Sequence, residues 1–82
     1  LHTLDLSYNC LTALPFSHEE APGTLAHLSL RRNYLPNNCS LTPMAALSKL
    51  ETLDLTGNRL TNLPADLFAS LSNLRTLYLG SN

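Results

Sequence analysis

Valine, isoleucine and tryptophan are all missing from this 82-residue chain. An ordinary globular core mixes side-chain shapes to reach crystal-like packing density, so a chain without these residues must fill its interior in another way. Cysteine is scarce. Two residues, Cys10 and Cys39, are too few for a disulfide framework. Charge of one sign is lacking too: the net charge is −1, which excludes the basic stripe that marks a nucleic-acid surface. Arg31 and Arg32 form the one basic cluster. No long apolar run occurs, so no membrane span is expected within these residues. There is no recognisable leader, no nucleophile–base set, no glycine-rich phosphate loop and no CxxC pair. Gly23, Gly57 and Gly80 fall at expected turns or strand ends. No catalytic residue, cofactor or metal is expected.

What is abundant is leucine, 21 residues of it, and its spacing is periodic. Leu1, Leu4, Leu6, Asn9 and Leu11 return as Leu25, Leu28, Leu30, Asn33 and Leu35, then as Leu50, Leu53, Leu55, Asn58 and Leu60. Leu74, Leu77, Leu79 and Asn82 begin a fourth copy. The string is L-x-x-L-x-L-x-x-N-x-L, with a period that marks a solenoid. Stacked identical layers can use one side-chain shape repeatedly, because each leucine meets its own copy one layer away. The repeats run over 1–24, 25–49 and 50–73, with a partial copy at 74–82. They form a single segment, expected to be a piece of a longer array.

Each copy should open on a short strand. In Leu50-Glu51-Thr52-Leu53-Asp54-Leu55 the alternation buries Leu53 and Leu55 and exposes Thr52, Asp54 and, just beyond, Thr56. Copies of that strand stack as a parallel sheet, and the rest of each repeat supplies the crossover. Asn9, Asn33, Asn58 and Asn82 end the strands as a structural ladder. An amide both donates and accepts, so an internal column of them is expected to satisfy the backbone of its own and the next turn. The return path reads best in the third repeat, where Leu67, Phe68 and Leu71 suit one inward-packing helical turn after Leu63-Pro64. The second repeat keeps this plan with one extra residue. Met44 stands for Phe68, Leu47 for Leu71, and Cys39 takes the inward position of Leu63. In the first repeat Glu19 and Pro22 occupy those places, so its helical turn should be absent, with Phe16 filling the gap.

The third repeat, with Leu63-Pro64 and Phe68, resembles the 24-residue "typical" leucine-rich repeat. That subtype is common in extracellular animal proteins similar to Toll and Toll-like receptor or Slit-like ectodomains. The resemblance implies an α/β right-handed solenoid with its parallel sheet on the concave face and short helical or irregular return segments on the convex face. It implies recognition of a protein ligand or co-receptor outside the cell, in immunity, adhesion or development. An intracellular scaffold that positions a signalling enzyme is the alternative. A catalytic domain elsewhere in a longer chain is a third possibility. No nucleic acid and no membrane contact are expected within the segment, and the oligomeric state stays open.

Tyrosine and arginine are enriched at interface hot spots, so the partner-binding residues expected on the exposed strand positions and turns are Tyr8, Arg31, Arg32, Tyr34, Asp54 and Tyr78. The plainer alternative is that they keep the sheet soluble, with the arginines paired to acids on neighbouring strands. Asn38-Cys39-Ser40 is an N-x-S sequon in the return segment, making Asn38 the expected glycosylation site. Cys39 is expected as a buried small hydrophobe, and a Cys10–Cys39 bridge as the lesser reading. His18-Glu19-Glu20 lacks the second histidine of H-E-x-x-H, where Pro22 stands, and reads as a solvated loop. His2 and His27, on adjacent strands, could lend the exposed face a pH dependence.

Overall fold

A computed structural model describes residues 2–82; Leu1, the first leucine of the repeat pattern, lies outside them. Four three-residue strands form one parallel sheet in sequence order: β1 (Thr3–Asp5), β2 (His27–Ser29), β3 (Thr52–Asp54) and β4 (Thr76–Tyr78). Their register is the leucine period itself. Leu4 pairs with Leu28, Leu28 with Leu53, and Leu53 with Leu77. One interior column therefore runs through the stack, fully covered at Leu28 and Leu53 and half-buried at Leu4 and Leu77. The strands are shorter than the leucine pattern, but the ladder continues past them. Leu6 N–H donates to Ser29 O, Leu30 N–H to Asp54 O and Leu55 N–H to Tyr78 O, at 2.8–2.9 Å. Adjacent turns are thus stitched even where the strand geometry ends.

The return segments differ in kind. The third repeat forms a short helix, α1 (Ala65–Ser70), entered from Pro64 and closed by Leu71 N–H on Phe68 O. The second forms a 3-10 segment, Thr42–Ala46, closed in the same way by Leu47 N–H on Met44 O. The equivalent closing bonds support the sequence alignment of Met44 with Phe68 and of Leu47 with Leu71. The extra residue of the second repeat is absorbed upstream of this segment, and the strands keep their register. The first repeat has only turns over 18–20, and Phe16 packs half-buried against the core. Of the expected inward residues of α1, Leu67 and Leu71 are buried, whereas Phe68 is half-buried and Met44 wholly so. Met44 belongs to the return segment of the second repeat and Phe68 to that of the third, which packs against it.

Asparagine closes each turn. Asn58 donates to its own Leu55 O at 2.9 Å and to Leu30 O of the preceding repeat at 3.0 Å, and accepts Leu35 N–H at 3.1 Å. Asn33 repeats this on Leu30 O, Leu6 O and Leu11 N–H, and Asn82 on Leu79 O, Leu55 O and Leu60 N–H. The linkage runs backward, to the preceding turn. Asn33 and Asn58 are buried. Asn9, which bonds Leu6 O and Ser7 O of its own repeat, is exposed, and so is Asn82. Among the described residues no buried side-chain polar atom lacks a partner.

Candidate recognition surface

The surface is built where the strands end. Asp5, Ser29 and Asp54 occupy the same register position. Each accepts the backbone N–H two residues on, those of Ser7, Arg31 and Thr56, as short polar side chains do in tight turns. Ser7 Oγ also donates to Asp5, and these bonds hold the Asp5 carboxyl below the usual carboxylate range. The next position but two in each turn is left-handed: Tyr8 (φ 59), Arg32 (φ 58), Gly57 (φ 74) and Ser81 (φ 58), each directly before a ladder asparagine. Glycine meets that demand without steric cost. Tyr8 and Arg32 meet it at a cost of about 1 kcal/mol relative to glycine.

This turn puts large side chains outside and in line. Tyr8 is 69% exposed, and its hydroxyl faces the Arg31 side chain of the next repeat. Arg31 in turn faces Asp54 of the third repeat, Nη1 to Oδ2 at 3.9 Å. The Tyr8 hydroxyl is held below its ordinary pKa chiefly by the Arg31 bond and then by its charge, and the same bond raises Arg31. Asp54 thus serves two neighbours, with Oδ1 on Thr56 N–H and Oδ2 toward Arg31. Tyr78, exposed, lies beside Asp54 in the register of β4. Arg32 is exposed at its head, while its stem crosses Gly57: a Cβ there would lie 2.7 Å from Arg32 Cδ. Of the six residues expected at a partner surface, four (Tyr8, Arg31, Asp54 and Tyr78) form a line across the sheet exit, with Arg32 beside it.

The sixth, Tyr34, pairs with Arg59, which also stands just past its strand but is not among the six. Arg59 lies over the Tyr34 ring, 5.2 Å from its centroid, a cation–π arrangement. Both stand directly after a ladder asparagine, so aligning the repeats on Asn33 and Asn58 would have revealed the pair. The backbone confirms the alignment: Tyr34 N–H donates to Leu11 O and Arg59 N–H to Leu35 O.

Other expectations resolve differently. Thr56, expected in solvent, is buried. It follows the strand, where alternation no longer applies, and its methyl group lies 3.7 Å from the position a Cβ would take on Gly80 of the next turn. Glu20 and Ser17 bond reciprocally, Ser17 N–H to Oε1 and Glu20 N–H to Ser17 Oγ, so that loop has a structural account. No metal-binding group of His, Cys, Asp or Glu occurs among the described residues. Cys10 is exposed and Cys39 half-buried, both as free thiols, and burial pushes the Cys39 thiol up. His2 and His27 are both exposed. Two inter-repeat asparagines had no signal in the leucine pattern. Asn37 accepts Thr61 N–H at 2.7 Å and Asn62 N–H at 3.1 Å, and Asn73 donates to Ser48 O at 2.9 Å.

Comparison with known proteins agrees with this geometry. The family profile described as "Leucine rich repeat" matches residues 48–82, and a second of the same description matches residues 1–19. The chain is 39% identical over 83 aligned residues to the Transforming growth factor beta activator LRRC33 of Danio rerio, covering 100% of the chain and 12% of that protein. It is 45% identical over 56 residues to a probably inactive leucine-rich repeat receptor-like protein kinase of Arabidopsis thaliana, covering 68% of the chain and 7% of that protein. Podocan of Mus musculus is 42% identical over 69 residues, 77% of the chain and 11% of podocan. The chain spans no more than 12% of any of these three relatives. With the period, the sheet register and these matches in agreement, the chain belongs to the leucine-rich repeat family.

Proposed function

We propose that this segment is a protein-recognition module of an extracellular receptor or of a secreted or adhesion leucine-rich repeat protein. Its partner is a protein ligand or co-receptor, and contact is made on the sheet face and along the strand exits by Tyr8, Arg31, Arg32, Tyr34, Asp54 and Tyr78. The carrying observation is the exposed tyrosine–arginine line tied across consecutive repeats by the Tyr8–Arg31, Arg31–Asp54 and Tyr34–Arg59 contacts. Side chains already held by neighbours lose less freedom on binding, which lowers the ordering cost of association. The left-handed backbone at Tyr8 and Arg32 supports the same reading. Strain retained under bulky side chains, where glycine would relieve it, is a mark of functional positions. The repeat subtype supports an extracellular setting, and so does the likeness to the Transforming growth factor beta activator LRRC33 and to podocan. The whole segment, 1–82, acts as one unit. The chain carries a net charge of −1, and no helix among the described residues is long and apolar enough to cross a membrane.

Photocrosslinking tests this directly. A photoreactive residue placed at Tyr34 or Tyr8 of the full-length protein on the cell surface should form adducts with a protein partner. The same residue at Ala69 on α1 should not. Adducts from Ala69 alone would move the interface to the return face and end the proposal.

A further inference from the structure

The return path of the second repeat holds a turn that the recognition surface does not use. Cys39 N–H donates to Pro36 O at 3.2 Å, which places Asn37 and Asn38 at the corner. The two asparagines have opposite fates. Asn37 is bolted to the next repeat through Thr61 and Asn62, donating to Thr61 Oγ1 and accepting both backbone N–H groups. Asn38 is exposed, and its amide makes no hydrogen bond among the described residues. Only Asn38 is followed at the right distance by a hydroxyl, that of Ser40, itself exposed and bonded to Thr42 Oγ1 at 2.9 Å. A shallow groove opens beside this turn, lined by Cys39, Leu41, Leu63 and Pro64 among others. Cys39 and Leu63 are half-buried there. The turn lies just past Tyr34, and Pro36 is paired with Arg59.

We propose that Asn38 carries an N-linked glycan, that its first sugars cover the Cys39–Leu63–Pro64 groove, and that it bounds the recognition surface beyond the Tyr34–Arg59 pair. The modification rests on the extracellular reading above. In the transfer step Asn38 Nδ2 loses a proton and bonds the anomeric carbon of a lipid-linked oligosaccharide. The bond from that carbon to the pyrophosphate oxygen breaks, the lipid pyrophosphate leaves with the electron pair, and the amide proton passes to solvent. The folded turn accepts the product without rearrangement, because the Asn38 amide has no structural bond to give up. Anchoring the corner through Asn37 sets the direction in which the sugar leaves the fold. A bulky polar chain there leaves the strand exits at Tyr8, Arg31 and Asp54 open and blocks approach from the return side of the second and third repeats.

The test uses the full-length protein made in animal cells in two forms, with its own N-terminus and with an added secretion leader. Enzymatic release of N-glycans in heavy-oxygen water should convert Asn38 to labelled Asp. Both N38Q and S40A should abolish that label, and S40T should keep it. Cys39 should alkylate several-fold faster after release of the glycan from the native protein, read by mass spectrometry apart from Cys10. Unmodified Asn38 in folded, leader-bearing secreted protein overturns the site. An unchanged Cys39 rate overturns the covering of the groove. A glycan present only with the added leader sinks the extracellular reading while leaving the turn a competent acceptor.

Discussion

The first and third repeats place the same leucines at the same register and bury them to different degrees. Leu53 and Leu55 are fully covered, whereas Leu4 and Leu6 are half-buried. Leu53 is flanked in register by Leu28 and Leu77, while Leu4 is flanked by Leu28 alone within this chain. The return halves widen the gap. The third repeat closes its layer with α1, and the first covers it with turns and a half-buried Phe16. The difference teaches that the motif encodes where a side chain points, while neighbouring layers decide how much that pointing is worth. This is the nearest-neighbour energetics of a solenoid.

The comparison can be broken most sharply in the leucine column. Leu53→Ala should destabilise the protein by about 3–5 kcal/mol, through lost burial and a cavity. Leu4→Ala should cost only about 1–2 kcal/mol, because its site is already partly open. Equal losses in denaturant unfolding would mean that the layers are not energetically distinct. The asparagines offer a second contrast of smaller size. Asn58→Ala strands Leu35 N–H and deprives Leu30 O and Leu55 O of a donor, at a cost of about 2–3 kcal/mol. Asn9→Ala removes bonds within one exposed turn and should cost under about 1 kcal/mol by the same unfolding measurement. The smallest effect lies at the seam between the first and second repeats and concerns acidity rather than stability. Arg31→Ala should return the Tyr8 phenol upward toward its ordinary value of 10.0, since the Arg31 bond is the largest cause of its depression. Ultraviolet titration of the variant reads this, and an unshifted Tyr8 would show that the repeats are not coupled there.

Most of the fold was legible in the leucine and asparagine spacing, because period and register are the same quantity in a stacked parallel sheet. Leu4, Leu28, Leu53 and Leu77 needed no other information. The helical closure of the return path was legible in repeats two and three, where Met44 and Leu47 align with Phe68 and Leu71. What escaped depended on contacts between turns. Thr56 is buried by the turn of Gly80, which no alternation rule covers. Left-handed backbone was readable at Gly57 but not at Tyr8, Arg32 or Ser81, whose side chains give no sign of it. Asn37 and Asn73 brace the outer flank through partners 24 and 25 residues away, a separation equal to the repeat but outside its consensus. At the surface, tyrosine and arginine identity singled out Tyr8, Arg31 and Tyr34 as candidates. The stacking of Arg59 on Tyr34 required the two repeats to be laid side by side.

Because the amides of Asn33, Asn58 and Asn82 each reach back to the turn before them, each of these coils carries its own means of attachment to its predecessor. A whole coil inserted or deleted between two others would leave every remaining amide with a carbonyl of the right kind to meet. One residue added inside the Leu–Asn turn would leave that amide misaligned, while one added on the far side, as in the second coil, passes without trace in the sheet. Such an assembly can lengthen by duplication yet resists small slips, and its contact face grows in fixed increments.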